Sequence, residues 1–343
     1  MERKYWADFI RFFSIILVVI THCHEKSGVN DVATSSIFYT VDRLGVPLFL
    51  MISGGFVLPK LANIDPLSFY KKRIPQFIVL LVFYAILTNF IVQFIASGDV
   101  LLSITNSITK FNGIYPSSYG GASQLWYLYT ITQLYLIAPF LAAMLKALSN
   151  KSIILFLIIC IFFNYFVITI KIFEPSADLA SITRMGKDFT GAFLVYFILG
   201  YLIVDRGFLE IKSNVGLCIQ LLILIIVSSF PVTYDIFTGK VNNYLHWYST
   251  SVFILIASVP LFNILKYTTI NLKSKFIIND IAKCSFGIFL LHYAVLYIVK
   301  YYVDMLGLSP LMNVFAYFIP TFLATYLIVK VMEKSKITKY FAF

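Results

Sequence analysis

Asp8, Arg11, His22 and His24 stand within a single apolar stretch near the start of the chain, DFIRFFSIILVVITHCH. In a membrane helix each ionisable group costs roughly 2.5–3.5 kcal/mol on insertion scales, so such groups turn toward protein and mark a site. A histidine in that setting can take a proton from an attacking hydroxyl, or carry a transferred group itself. An arginine can steady a developing negative charge. Eleven residues separate Arg11 from His22, about three helical turns, so both lie on one face about 16 Å apart. Asp8 precedes Arg11 by three and is placed to pair with it. Neutralising Asp8 would by itself account for Arg11, and a hydrogen-bonded structural role would account for His22. The residues alone leave both readings open.

The elements that must hold this stripe are membrane helices. The 343 residues are 60% hydrophobic, 17% aromatic and 13% charged, against about 25% charged in soluble domains. The expected architecture is all-α and polytopic, a single membrane-embedded domain over 1–343. At about 20 apolar residues per crossing, about ten candidate spans follow, roughly 6–24, 35–58, 75–97, 124–146, 152–170, 189–204, 215–232, 247–265, 282–302 and 310–331. Lysine and arginine crowd one set of loops (Lys60, Lys71, Lys72, Arg73, Lys146, Lys151, Lys273, Lys275) and are sparser in the other, where Lys26, Lys110, Arg184 and Lys187 fall. The positive-inside rule then puts both termini in the cytoplasm. It also accounts for the net charge of +11 without nucleic acid as a partner. The first apolar run holds an arginine and no small-residue cleavage site, so it is expected to remain as an anchor. Cys23, Cys160, Cys218 and Cys284 form no CxxC pair and read as small core residues rather than a disulfide framework or zinc site.

Further candidates follow along the chain. The second span places Asp42 and Arg43 side by side at membrane depth, where a bundle-stabilising pair competes with a direct role. Its Pro47 and Gly54-Gly55 predict a bent or broken helix, with Ser53 beside the break. FYKKRIP reads as a basic cytoplasmic loop, so Lys71, Lys72 and Arg73 are either a topology signal or a phosphate-binding patch. Trp126 and Trp247 are placed at the outer interface, as belt residues or sugar platforms. The outer segment over 171–188 adds Glu174, Asp178, Arg184, Lys187 and Asp188, and His246 stands beside Trp247. His292 lies seven residues after Ser285 in the ninth span and is expected to line or pack against the same cavity as His22. His22 and His24 point to different sides of a helix and cannot share a metal there, so no metal is expected and His24 is placed at the water interface.

With those residues in view, the chain resembles the membrane acyltransferase 3 family. Asp8-x-x-Arg11-x10-His22 looks like its first-helix signature and VPLFLMISG (Val46 to Gly54) like its second. LWYLYTITQLYLIAPF and SFGIFLLH are similar to later landmarks, all in the family's order over nearly the whole chain. The nearest likeness is to small bacterial O-acetyltransferases of the kind that modify enterobacterial common antigen. The resemblance implies transfer of an acyl group, usually acetyl, from cytoplasmic acyl-CoA to a hydroxyl of a cell-surface or lipid-linked glycan, in a bacterial inner membrane. It implies dependence on Arg11 and His22, with acetyl-CoA as a donor substrate and no resident cofactor. A sugar hydroxyl could give its proton to the imidazole as it attacks the thioester, or an acyl-imidazole could intervene. Where many relatives carry Arg-x-x-Arg to contact the CoA phosphate, this chain has Arg73-x-x-Gln76, preceded by Lys71 and Lys72. A polysaccharide exporter or flippase, or an acyl-CoA or lipid sensor, are the rival readings. An exporter would be expected to show inverted repeats with matching broken helices. The acceptor and the oligomeric state are not fixed by the sequence.

Overall fold

The computed structural model describes residues 4–109, 121–174, 176, 179–186, 190–269, 272–273 and 275–342. Among them the regular structure is helical throughout, with no strand. In chain order the helices are α1 (Tyr5–Lys26), α2 (Val32–Asp42), α3 (Gly45–Leu61), α4 (Pro66–Ser97), α5 (Val100–Thr109), α6 (Trp126–Ala147), α7 (Asn150–Ile161), α8 (Val167–Phe173), α9 (Ala180–Gly186), α10 (Ala192–Val204), α11 (Asn214–Thr238), α12 (Asn243–His246), α13 (Val252–Thr269), α14 (Phe276–Asp304), α15 (Pro310–Glu333) and α16 (Lys336–Tyr340). A π-helical turn, Phe162–Phe166, joins α7 to α8 without a break. Nine stretches among the described residues are long and apolar enough to cross a membrane, α2–α3 and α7–α8 each counting as one. The expected span over 189–204 is the 13-residue α10. The chain is an all-α polytopic membrane protein.

Contacts divide the chain into two units, Met1–Leu17 with Asn30–Pro66 and Leu134–Lys275, and Val18–Val29 with Leu67–Gln133 and Phe276–Phe343. In the first, α10 is apolar on every side and buried from Leu194 to Ile203, as a helix enclosed by protein must be. It packs on α3 so closely that a Cβ on Gly54 would lie 1.9 Å from Phe197 O, and one on Gly200 1.9 Å from Met51 O. By contrast α11 exposes Ile219, Leu222, Ile225 and Ile226, the apolar surface that lipid covers. Cys218 is exposed on that helix too, whereas Cys23, Cys160 and Cys284 are core residues as expected.

Three local expectations are corrected. The second span does break, but at Arg43 and Leu44, before Pro47. Pro47 lies in the first turn of α3, where a missing N–H costs nothing, and α3 runs unbroken through Ser53, Gly54 and Gly55, whose glycines serve the approach to α10. Lys71, Lys72 and Arg73 are not in a loop: α4 begins at Pro66 and carries all three in its early turns. His24 is buried, at 3% exposure, instead of lying at the water interface. Lys110, Asp178, Lys187 and Asp188 lie outside the described residues.

A buried polar knot ties the first unit together around His246. Its Nε2 donates to Asp235 Oδ2 at 2.7 Å, because a carboxylate only accepts, and its Nδ1 lies 3.3 Å from Thr40 Oγ1. Ser36 Oγ lies 3.3 Å from the same Nε2, and Asn242 N donates to Asp235 Oδ1 at 3.0 Å. Asp235 is fully buried and His246 nearly so. Asp235→Asn keeps the shape but weakens a charge-assisted bond. It is expected to cost about 1–3 kcal/mol, read as a lower melting temperature of the purified protein in detergent.

The second unit is organised on α14, buried from Ala282 to Leu296 apart from Lys283 and Phe286, and paired with α15. Near the chain end Tyr84 Oη of α4 donates to Phe341 O at 2.8 Å, and Lys330 of α15 bridges Asp280 at 2.8 Å and Glu333 at 2.9 Å. An apolar cavity of about 340 Å³ opens between α4 and α5, lined by Phe83, Ile86, Leu87, Phe90, Ile104, Ser107 and Ile108. It offers no group able to move a proton.

Candidate active site

The last turn of α1 carries the candidate base, His22. Its end is fixed by a reversal in which Ser27 N donates to His24 O at 3.1 Å and Ser27 Oγ to the same carbonyl at 2.8 Å. One turn of helix places Glu25 over His22, and the His22 Nδ1–Glu25 Oε2 distance is 2.8 Å. The carboxylate can only accept, so Nδ1 carries the proton. Nε2 is then the lone-pair nitrogen, and it makes no hydrogen bond among the described residues. A carboxylate that holds an imidazole in one tautomer and stabilises its charged form is the arrangement of a general base and its orienting group.

Two residues of α14 wall the imidazole. His292 lies against it with ring centroids 5.3 Å apart and planes 24° from parallel, and Tyr293 meets it edge-on at 4.7 Å. Tyr293 Oη also stands 3.3 Å from His22 Nδ1 and accepts from Ser123 Oγ at 3.0 Å. Lys26 Nζ sits over the rings of Tyr293 (5.3 Å) and Tyr297 (4.7 Å). His22 is 8% exposed and His292 wholly buried, so a reaction here is shielded from water.

Arg11 is placed with Asp8, Nη1 to Oδ1 3.0 Å, with its guanidinium 5.6 Å from the ring of Phe56. Asp8 is buried and Arg11 half-buried. Arg43 is buried among the rings of Trp247 (4.8 Å), Tyr39 (5.1 Å) and Tyr248 (5.3 Å), and donates to Tyr248 Oη at 3.3 Å. The structure thus brings Arg43 and Trp247 together, as a packed cation–π nest. Asp42 beside it is also buried, and Ser53 is half-buried on α3. Trp126 is half-buried against Tyr127. Lys71 and Lys72 are exposed, and Arg73 Nη1 donates to Gln76 Oε1 at 3.3 Å. Gln76 therefore holds the guanidinium where many relatives place a second arginine.

Glu25, Tyr293 and Gln124 are the site neighbours that sequence reasoning passed over. The three-residue step from His22 to Glu25 is the available signal. Among the described residues no group of three or more His, Cys, Asp or Glu is arranged to hold a metal ion. Gln124 and Tyr293 are more than 100 residues from His22 in sequence, and no local pattern announces them.

The acyltransferase 3 family model, described as an acyltransferase domain, matches residues 4–330. No curated protein and no solved structure matches the chain.

Proposed function

From the premise that this chain belongs to the membrane acyltransferase 3 family and is an acyltransferase, we propose that it moves an acetyl group from cytoplasmic acetyl-CoA to a hydroxyl of a cell-surface or lipid-linked glycan, in the inner membrane of a bacterium. The observation that carries the reading is the His22–Glu25 pair, 2.8 Å apart, which leaves Nε2 as the base. In the reaction His22 Nε2 takes the acceptor's O–H proton as that oxygen attacks the thioester carbonyl carbon. The C–O bond forms, the C–S bond breaks, and the proton held on His22 passes to the departing thiolate, giving CoA thiol and an ester. Glu25 holds the imidazole in its working tautomer and balances its positive charge. Direct transfer needs only one base, and His22 has one lone-pair nitrogen to give.

Arg11 is assigned to the reaction by the family pattern, and Asp8 by its 3.0 Å bond to Arg11. Lys71, Lys72 and Arg73 are proposed to meet the CoA phosphates. The exposure of both lysines at the start of α4 supports this, since a phosphate must reach them from water. Arg43 and Ser53 are given supporting roles, and Trp126 and Trp247 acceptor-side roles. No metal enters the proposal.

The test is ester-linked acetate released by mild alkali from the surface glycan of cells with and without the gene. Acetate that depends on the gene is expected. Equal acetate in both, with glycan export falling when the gene is absent, would move the assignment to transport. A different acyl ester would keep the reaction and change the donor.

A further inference from the structure

Two buried acceptor atoms, one on α14 and the other on the turn Ser123–Leu125 that precedes α6, have no donor among the described residues. His292 Nδ1 lies 2.6 Å from Phe289 O and 3.2 Å from Ile288 O. Carbonyls only accept, so Nδ1 carries the proton and Nε2 presents a lone pair. That Nε2 is buried with no hydrogen-bond partner among the described residues. Gln124 Nε2 points to Leu290 O at 3.5 Å, which orients the amide and leaves Oε1 buried and unpartnered as well. Both side chains are fully buried. An unsatisfied buried polar atom is costly; one of these two is on the ring stacked against His22 and the other on the amide aimed at Leu290 O of the same helix α14, and both call for an explanation.

We propose that His292 Nε2 and Gln124 Oε1 form a binding subsite for the non-reacting hydroxyls of a neutral polyol. Two acceptors without donors match a ligand that brings O–H groups. A phosphate or carboxylate brings acceptors only and finds no donor on His292 Nε2 or Gln124 Oε1. A cation would bring donors, but Lys26 already holds a positive charge over Tyr293, whose ring also touches His292 at 5.4 Å. An uncharged sugar remains. Its reacting hydroxyl meets His22 Nε2, and neighbouring hydroxyls donate to His292 and Gln124. A hydroxyl-bearing ligand recognised in this way is discriminated sharply from one whose hydroxyls are capped, because the acceptors then stay unpaired. The identification of that ligand as the acyl acceptor rests on the proposed function; the subsite itself rests on the two acceptors.

The test follows thermal unfolding of the purified full-length protein in detergent, with methyl glucoside, methyl galactoside and methyl mannoside as probes and their fully O-methylated forms as controls. At least one glycoside is expected to raise the wild-type melting temperature by about 2–4 °C at roughly 10–100 times its Kd, while the O-methylated forms do not. Gln124→Met and His292→Phe remove an unpaired acceptor at similar volume. They are expected to melt no lower than wild type without ligand and to lose the rise. The proposal is overturned if no glycoside shifts wild type, if the O-methylated forms shift it equally, or if the variants keep the full shift. Should His292→Phe fail to fold, Gln124→Met carries the comparison. Acetyl transfer assayed alongside separates the two readings: a glycoside response without transfer keeps the subsite and removes the acyltransfer assignment, and transfer without a response does the reverse.

Discussion

His22→Ala lowers acyl transfer by about 10²–10⁴-fold, the usual worth of a positioned general base. The loss is expected in kcat and in kcat/KM together, with the KM for acyl-CoA little changed, because the lost interaction belongs to the proton in flight and not to donor binding. The assay is CoA thiol release coupled to ester formation, with variant and wild type matched for protein in the membrane. Glu25→Gln serves as the companion. It keeps the size of the side chain and an acceptor oxygen 2.8 Å from Nδ1, but removes the charge that stabilises the imidazolium, so it falls between wild type and His22→Ala. If His22→Ala keeps transfer within tenfold of wild type, the base is elsewhere. If Glu25→Gln equals wild type while His22→Ala does not, the histidine acts without its carboxylate, and the tautomer argument fails.

How far the sequence could reach is clear from these same residues. His22, Arg11 and Asp8 were legible because one helix relates them, and helix geometry is a local rule. The Asp8–Arg11 bond at 3.0 Å is the three-residue contact that spacing implies. His292 was legible as a polar residue in an apolar span, and it does pack against His22. Glu25 obeys the same three-residue rule relative to His22. Gln124 and the Asp235–His246 bond were out of reach for different reasons. Gln124 reaches α14 only when the turn Ser123–Leu125, just before α6, packs on it. Asp235 and His246 meet because the chain turns back after α11, with Asn242 N held by Asp235. The misplaced helix break has a local cause: Pro and Gly are read as breakers, yet Pro47 falls where a helix begins and the glycine pair where two helices touch.

That last point carries the largest expected effect on stability. Gly54→Val and Gly200→Val are each expected to prevent assembly of the folded protein, at a cost above about 4–5 kcal/mol. A Cβ on Gly54 would sit 1.9 Å from Phe197 O and 2.6 Å from its carbonyl carbon, and one on Gly200 1.9 Å from Met51 O and 2.5 Å from that carbonyl carbon. Backbone atoms cannot rotate away as a side chain can, so α3 and α10 would have to part along their length. Association within a membrane rests on close packing, since lipid tails are as apolar as leucine, and small residues at the crossing are what permit it. Parting the helices forfeits that packing over the whole of buried α10. Gly55 differs in part: its added Cβ would lie 2.6 Å from Val204 Cγ2, 2.8 Å from Val204 Cβ and 2.9 Å from Gly200 O. Val204→Ala removes only the first of these contacts, so it is expected to recover part of the folded protein lost in Gly55→Ala, while side-chain truncation at Phe197 recovers none in Gly54→Ala. Yield of monodisperse protein in mild detergent, followed by its melting temperature, reads all of these. Gly54→Val protein that is monodisperse and melts with wild type would mean that α3 and α10 do not cross backbone to backbone. The atoms that crowd each added Cβ all belong to α3 and α10, so a variant that folds poorly but keeps full turnover per folded molecule is the expected pattern, which separates the scaffold from the chemistry.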